Sequence, residues 1–402
     1  MRIQKATHQE TKQHNRDLVL KTIFEADTVS RAEIARITRL TRTTVSEVVA
    51  ALLAEGLVRE VGIGSSIGGK SPILLSLVKD SRYMISLNLA HDQFCGAVVN
   101  LRGEIKEMES IPVSGRDGEQ ALGLVYEILA RLVSQRWQPL VGIGVGTPGL
   151  VNTREGMVVN AVNLDWQNLP LAQLLRDRYQ LPVHIMNDSQ AAAIGEYVYG
   201  GAYKADENLV VINLRQGIGA GILVNGRLFQ GDGGGAGEIG HMVVQENGLL
   251  CRCGNHGCLE TLASARAVVQ RAKMLVAEYP SSVLTKDPEN ITLDSLESAF
   301  ASGDALACKV ILDAGHYLGL SIASLISMLN MQRFVLIGDM TRFGQVWLDA
   351  VRNGAMHATL SKLAEGTRIE VGKLDYRGCM MGASALTLLN GYSLLFNQPS
   401  FA

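Results

Sequence analysis

Apolar and polar positions along the first 80 residues alternate in a pattern that predicts three helices followed by a hairpin. The second helix opens at "SRAEIARITRL", where Ser30 and Glu33 have the spacing of a capping box. The third helix, residues 41–56, carries an apolar stripe made of Val45, Val48, Val49, Leu52 and Leu53. Two short strands joined by a Gly/Ser-rich tip come next. This order of elements is that of a winged helix-turn-helix, which we assign to residues 1–78.

In a winged helix-turn-helix the third helix lies in the major groove, with its first turn toward the base edges. The polar side of that turn and the tip of the hairpin carry hydroxyl and basic side chains, which suit contacts with bases and phosphates. The residues predicted to contact DNA are Ser30, Arg31, Thr41, Arg42, Thr43, Thr44, Ser46, Gly69 and Lys70. The alternative is a three-helix protein-binding module whose polar residues only keep an exposed helix soluble.

From about residue 82 the pattern changes to short β-rich runs separated by helices. "YMISLNLA", "QFCGAVVN" and "EIKEMESIPV" predict a three-strand meander, and an amphipathic helix is expected near 117–135. A second set of runs begins at "NLVVINLRQGIGAGILVNGRLFQG". Two such halves indicate a duplicated α/β fold with a ligand-binding cleft between two lobes. We assign the first lobe to residues 79–198 with a returning helix near 377–396, and the second lobe to 199–376.

Composition restricts the classes of protein to which the chain can belong. Apolar residues make up 47% and charged residues 19% of the sequence, as in ordinary globular proteins. We see no secretory segment and no run of about 18 apolar residues, and the six cysteines do not form a disulfide framework. We therefore expect a cytoplasmic protein. Residues 1–80 carry 12 Lys and Arg against 9 Asp and Glu, a weakly basic balance that agrees with nucleic-acid binding without establishing it.

Three of the six cysteines fall within "GHMVVQENGLLCRCGNHGCLE", residues 240–260. Cys251 and Cys253 can approach one ion from a tight turn, and Cys258 can reach the same ion after two glycine bends. With one histidine they form a set of three thiolates and one imidazole, which suits a structural, tetrahedral zinc ion. On spacing alone, His241 and His256 are both candidates for the fourth ligand. The alternative is three free thiols in a loop.

Further motifs are "GIGVGTPGLV", "NLDW" before "LPL", "MNDSQAAAIGE" and "GAGEIGH", and the cysteines follow the signature C-x-C-G-x-x-G-C-x-E. Together with the winged head, these motifs resemble those of the ROK family of bacterial repressors and sugar kinases, which share a two-lobed, actin-like (ribonuclease-H-like) body. The resemblance covers essentially the whole chain. It favours His241 over His256 as the fourth zinc ligand. It also implies that sugar hydroxyls are bound by Asn187, Asp188, Glu238, His241 and Glu260, with Asn163 as a weaker candidate.

The kinase branch of the family uses an aspartate as general base, and Asp188 stands at that position. Each stretch that resembles a nucleotide-binding loop is altered here. The first reads "LNLAHDQF", with Asn88 in place of an acid and no glycines; the second has Arg215 and Gln216 where Gly-Thr is usual; the third, "VLIGDM", has Asp339 where a glycine is usual. Phosphates need closely approaching backbone amides. We therefore expect no kinase activity and assign no catalytic residue.

The sequence thus predicts a sugar-responsive, DNA-binding regulator, a repressor of carbohydrate-utilisation genes released from its operator by a monosaccharide in the cleft. We expect a homodimer or a dimer of dimers. The long apolar helix at 305–330 either carries the motion of the lobes or only packs the core. Two alternative functions remain, a bifunctional DNA-binding sugar kinase and a repressor controlled by a partner protein of a sugar-transport system. The head resembles that of xylose-operon repressors most, but this does not fix the effector, and activation in place of repression is possible.

Overall fold

The computed structural model describes residues 7–65, 71–201 and 208–392. A small N-terminal head consists of three helices and a three-stranded antiparallel sheet in the order β1-β3-β2. In chain order its elements are α1 (His8–Glu25), β1 (Val29–Ser30), α2 (Arg31–Thr38), α3 (Arg42–Ala54), β2 (Val58–Ile63) and β3 (Ile73–Leu77). The predicted winged helix-turn-helix is confirmed. The short strand β1, which pairs with the hairpin, was not predicted from the sequence.

Local hydrogen bonds and burial explain why the head folds in this way. The Ser30 hydroxyl accepts from the Glu33 amide while the Glu33 carboxylate accepts from the Ser30 amide, which forms the predicted capping box at α2. Arg39 follows α2 in the left-handed conformation and turns the chain toward α3. The Thr41 hydroxyl then caps α3 by accepting from the Thr44 amide. The apolar stripe of α3 packs into the core of the head, where Val45, Val49 and Leu52 are fully buried.

The first lobe of the body is built on a five-stranded sheet in the order β11-β7-β4-β5-β6. Strands β4, β5 and β6 form an antiparallel meander, and β7 and β11 extend the sheet by parallel pairing. A small sheet in the order β10-β9-β8 flanks it. The elements are β4 (Tyr83–Leu89), β5 (Gln93–Asn100), β6 (Ile105–Pro112), α4 (Gly118–Leu132), β7 (Leu140–Thr147), β8 (Leu150–Asn152), β9 (Met157–Ala161), β10 (Trp166–Leu169), α5 (Leu171–Tyr179), β11 (Val183–Asn187) and α6 (Asp188–Tyr199).

The second lobe repeats this plan. Its sheet has the order β14-β13-β12-β15-β16, again an antiparallel meander extended by two parallel strands. The repeat confirms the predicted internal duplication. The elements are β12 (Leu209–Leu214), β13 (Ile218–Val224), β14 (Arg227–Phe229), α7 (Glu260–Ala263), α8 (Ala265–Leu275), α9 (Leu293–Ala301), α10 (Ala305–Leu329), β15 (Arg333–Ile337), α11 (Gly344–His357), α12 (Ser361–Ala364) and β16 (Arg368–Val371), followed by α13 (Gly378–Tyr392).

Helix α6 lies between the two lobes. It packs against α13, which itself contacts β4 and β7 of the first lobe, and against β12 and β13 of the second lobe. The α6–α13 contact needs glycine on both helices. A Cβ atom at Gly195 would lie 2.2 Å from the Gly378 carbonyl oxygen, and one at Gly382 would lie 1.6 Å from the Ala191 carbonyl oxygen. Because the backbones approach this closely, α6 is held firmly at the centre of the body.

The head is docked on the first lobe and shares one continuous apolar core with it. The turn between β5 and β6 makes the polar contact. Arg102 donates from Nη1 to the carbonyl oxygen of Phe24 at 2.6 Å, and its guanidinium carbon lies 5.0 Å from the centre of the Phe24 ring. Arg82 adds a hydrogen bond to the Glu55 carbonyl oxygen. The last turn of α1 and the end of α3 are thus both tied to the body.

Helix α10 is long and apolar enough to be compared with a membrane span, but 61% of its apolar window is buried inside the protein. It packs against α7, α8, α9, α11 and α12, all in the second lobe. Its buried residues belong to the core of that lobe. The helix thus packs the core of the second lobe, and its part in any motion of the lobes stays a prediction.

Candidate functional site

The structure brings His241, Cys251, Cys253 and Cys258 together, with their ligand atoms all within 4.8 Å of one another. The Cys251 Sγ lies 3.6 Å from the His241 Nδ1, and the Cys253 Sγ lies 3.6 Å from the Cys258 Sγ. A tetrahedral ion about 2.3 Å from sulfur and 2.0 Å from nitrogen sets donor atoms roughly 3.5–3.8 Å apart. The spacing of the donors therefore fits a metal ion.

The backbone of the cysteine loop is folded so that its thiols converge. The Gly254 amide donates to the Cys251 carbonyl oxygen, closing a tight turn, and the Cys251 amide donates to the Asn255 carbonyl oxygen. Gly257 adopts a positive φ of 70°, and a Cβ there would lie 1.7 Å from the Gln245 carbonyl oxygen. Burial and contact with the neighbouring thiols raise the pKa of Cys258 to about 12. A divalent cation is what would stabilise these thiols as thiolates.

His256 lies outside the cluster. Its Nδ1 is 3.1 Å from the Gly248 carbonyl oxygen, and the side chain is exposed. His241 instead presents Nδ1 to the cysteines, while its Nε2 lies 4.0 Å from the Glu238 carboxylate. One ring nitrogen is thus directed at the cysteines and the other at Glu238.

Carboxylates from both lobes meet in this cleft. Asn187 ends β11 and Asp188 begins α6, at the carboxyl edge of the parallel strands where open α/β sheets bind ligands. Glu238 comes from the opposite lobe. Partial desolvation raises the pKa of Glu238, the charge of His241 opposes this, and the charges of Asp188 and Glu260 add to the increase. Three acidic side chains predicted to bind sugar are therefore electrostatic neighbours.

Part of the hydrogen-bonding capacity of these residues is already used. The Asn187 Oδ1 accepts from the Ser189 and Gln190 amides, and its Nδ2 donates to the Gly149 carbonyl oxygen. The Asp188 Oδ1 accepts from the amide and hydroxyl of Ser189. Burial raises the pKa of Asp188, and these hydrogen bonds and the charge of Arg215 oppose the increase. Among the described residues no partner takes the second amide hydrogen of Asn187 or the second oxygen of Asp188, so both can bind a ligand.

Glu260 is the most enclosed of the three carboxylates, with a side chain 8% exposed. Its Oε2 accepts from the Ile218 amide at 3.3 Å, and its Oε1 pairs with Arg266 at 3.1 Å. The absence of a side chain at Gly217 makes room for it, because a Cβ there would lie 2.6 Å from Oε2. Protein groups therefore balance its charge and fix its orientation.

Arg252, between two of the clustered cysteines, was not among the residues predicted from the sequence. Its Nη1 donates to the Oδ1 of Asn163 at 2.6 Å, and its Nη2 lies 3.7 Å from the Glu260 Oε1. Asn163 belongs to the first lobe, in the 3₁₀ turn Val162–Leu164. Only the position of Arg252 within the cysteine motif could have pointed to it, because its partner lies 89 residues away.

Two of the three altered stretches lie close together, because Arg215 interacts with Asp339. Asn88 is buried in β4, and Arg215 is half-buried in the turn between β12 and β13. The charge of Arg215 lowers the pKa of both Asp188 and Asp339, although burial raises both more strongly. The guanidinium thus lies near carboxylates of both lobes. Arg215 thus places a positive charge in the loop that resembles a nucleotide-binding loop of the family.

The residues predicted to contact DNA differ in their exposure. Thr41, the cap of α3, is exposed, as are Arg42, Thr43 and Ser46 at the start of the helix, and Thr44 is half-buried beside them. The Ser30 side chain is only 3% exposed, and its hydroxyl forms the cap of α2.

Arg31 remains at the surface, where it pairs with Glu60 of the wing at 2.9 Å. The last two residues of the predicted surface, Gly69 and Lys70, lie outside the described residues.

Comparison with known proteins agrees with this geometry. A family model described as "ROK family" matches residues 84–389. A xylose repressor of Caldicellulosiruptor bescii is 32% identical over 98% of this chain and 99% of its own length. A crystal structure of a ROK family transcriptional regulator, a homolog of the E. coli MLC protein, covers 96% of this chain and 98% of its own with a TM-score of 0.83 and 27% identity.

The body alone matches an enzyme. A ROK family glucokinase from Streptomyces griseus, solved with glucose and AMPPNP, covers 76% of this chain and 98% of its own, with a TM-score of 0.68 and 27% identity. The fold of the body is therefore shared by regulators and sugar kinases.

Proposed function

The chain belongs to the ROK family, and from this premise we propose that it is a sugar-responsive, DNA-binding transcriptional repressor of carbohydrate-utilisation genes. A monosaccharide bound in the cleft between the lobes releases the protein from its operator. The likeness to a xylose repressor and to a full-length ROK transcriptional regulator supports this function. The proposed sugar ligands are Asn187, Asp188, Glu238, His241 and Glu260, with Asn163 at the edge of the cleft.

One observation carries the proposal that the protein binds sugar without phosphorylating it. The acidic and amide residues of the sugar end are gathered in one cleft, whereas the nucleotide end contains the charged side chains Arg215 and Asp339. The bulk of Arg215 takes up space where the family's loop has a small residue, and the carboxylate of Asp339 would repel a phosphate group that approached it. Asp188 then acts only as a hydrogen-bond partner of a sugar hydroxyl. No nucleotide is bound whose phosphate that hydroxyl could attack.

The metal-binding cluster fits a structural zinc ion held by His241, Cys251, Cys253 and Cys258. All four positions of a tetrahedral ion are then filled by protein, so the ion holds the loop and takes no part in a reaction. Through the second ring nitrogen of His241, the ion also orients a group that faces the sugar. We propose one zinc ion per chain.

Helix α6 provides a physical connection between the cleft and the head. Asp188 begins this helix of 12 residues, which spans about 18 Å, and Tyr199 ends it. The Tyr199 ring packs against Gly103, whose neighbour Arg102 holds Phe24 of the head. A sugar that shifts α6 on closing the lobes would move the β5–β6 turn and, with it, the head.

Repressors of this kind act on symmetric operators as dimers, with one head in each half-site about 34–36 Å apart. We propose a homodimer, or a dimer of dimers, that acts in the cytoplasm. If the β5–β6 turn rotated each head, the distance between the two α3 helices of the dimer would change. A mismatch with the operator then lowers DNA affinity.

The function is tested by operator release. We expect D-xylose, D-glucose or N-acetyl-D-glucosamine to reduce the affinity for a duplex that the protein itself selects from random DNA, by roughly 5- to 150-fold. Glu238→Gln tests the proposed site, because it keeps the shape of the side chain and removes one charged hydrogen-bond acceptor from the cleft. It should bind DNA normally and respond less to sugar. Unchanged DNA affinity across a broad monosaccharide panel would contradict the proposed function and favour control by a partner protein.

Absence of phosphoryl transfer is a separate expectation. Wild-type protein incubated with radiolabelled ATP, Mg²⁺ and each sugar should form no sugar phosphate above the level seen with Asp188→Asn, because Arg215 and Asp339 exclude the nucleotide. Product is measured by chromatography. Sugar phosphate that forms with the wild-type protein and disappears with Asp188→Asn would establish the bifunctional kinase instead.

The α6 connection predicts a variant that binds both ligands and no longer couples them. Arg102→Ala removes the hydrogen bond and the ring contact to Phe24, so sugar-induced loss of operator affinity should shrink at least about fivefold, the lower end of usual coupling. Sugar and operator affinities measured separately should stay near wild type. Arg116→Ala is the control, because Arg116 also donates to main-chain carbonyls of the first lobe but has no hydrogen bond to the described residues of the head. If sugar reduced operator affinity by the same factor in Arg102→Ala and in Arg116→Ala, the connection through α6 and the β5–β6 turn would be excluded.

A further inference from the structure

Arg252 reaches from the cysteine loop of the second lobe across the cleft to the first lobe. Its guanidinium lies between Asn163 and Glu260, two of the six residues proposed to bind the sugar. The side chain is 41% exposed, so a ligand can reach it.

Structural needs alone do not account for this placement. Glu260 already has a closer cationic partner in Arg266 and a hydrogen bond from the Ile218 amide. The other partner of Arg252, the Asn163 side-chain oxygen, is neutral. A guanidinium carries five donor hydrogens in a fixed fork, and the contact with Asn163 uses only one of its nitrogens. Donors therefore remain at the edge of the cleft.

The backbone that carries Arg252 is held in place on both sides. Cys251 and Cys253 belong to the metal-binding cluster, and the hydrogen bond from the Gly254 amide to the Cys251 carbonyl oxygen makes Arg252 a central residue of the turn. A side chain projected from such a turn is positioned more narrowly than one on a free loop. The metal-binding cluster thus also restricts the position of the Arg252 side chain.

We infer that Arg252 is a further ligand-contacting and specificity-determining residue of the sugar site, and that it joins the two lobes through the bound sugar. This inference rests on the proposed function. The guanidinium donates to an oxygen of the sugar that lies between Asn163 and Glu260, while Asn163 keeps its contact with the same side chain. Because the guanidinium has no acceptor, it selects sugars that present a hydroxyl or carbonyl oxygen at this end over those that present only a C–H group.

Calorimetric titration tests the inference with Arg252→Ala, Arg252→Lys and the wild-type protein, each against D-xylose, D-glucose and N-acetyl-D-glucosamine. For the sugar that the wild type prefers, Arg252→Ala should weaken binding roughly ten- to hundredfold, the usual effect of losing a charge-assisted hydrogen bond. The differences in affinity among the three sugars should also become smaller. Arg252→Lys keeps the charge without the fork and should recover only part of the affinity.

The controls separate a contact role from a role in folding the loop. Bound metal measured by plasma mass spectrometry should stay at the wild-type level in Arg252→Ala. Arg131→Ala, which removes a surface arginine of similar exposure from α4, should leave both metal and sugar binding unchanged. In a double-mutant cycle, Arg252→Ala and Asn163→Ala should lose less together than the sum of their separate losses, because they act on one group of the sugar.

The outcomes that overturn the inference are distinct from failure of the proposed function. Wild-type sugar affinity in Arg252→Ala, or loss of its metal, would overturn the contact role of Arg252 and leave the sugar-responsive function in place. Additive losses in the double-mutant cycle would overturn the shared contact with Asn163. Absence of binding to any of the three sugars and to a wider monosaccharide panel by the wild type would overturn the function and this inference together.

Discussion

Four donor atoms of one short loop converge on a single point, and this convergence fixes the positions of the residues next to them. His241 and the three cysteines converge within 4.8 Å, and the residues next to them cannot move independently. Glu238 lies just before His241, Arg252 between two of the cysteines, and Glu260 two residues after the third. A metal ion held there would therefore position an acid, an arginine and a second acid that lie next to its ligands.

The opposite wall of the cleft is held by packing. Asn187 and Asp188 stand at the start of α6, which is clamped between two sheets and touches α13 through glycines. Such close backbone contact transmits displacement, because a well-packed interior is bistable and does not deform freely. The far end of α6 meets the turn that holds the head. The same helix therefore begins at two of the proposed sugar ligands and ends at the turn that contacts the head.

Local patterns in the sequence were sufficient to predict much of this fold and site. The caps of the head, the two meanders and the cysteine spacing depend on residues a few positions apart. Contacts between distant residues were not predictable. The burial of Ser30, the contact of Arg102 with Phe24 and that of Arg252 with Asn163 all depend on how separate elements pack, and the latter two pairs are 78 and 89 positions apart. The apolar pattern of α10 indicated a buried helix but could not say which lobe it fills.

The central claim is that the metal-bound loop holds the sugar site in shape. Calorimetric titration of the preferred monosaccharide into Cys253→Ser, beside Cys308→Ser as a cysteine outside the cluster, tests it most directly. We predict that Cys253→Ser loses its zinc and binds the sugar at least about tenfold more weakly, as expected when a metal no longer orients its neighbours, while Cys308→Ser matches the wild type in both. Loss of zinc with wild-type sugar affinity would contradict the account.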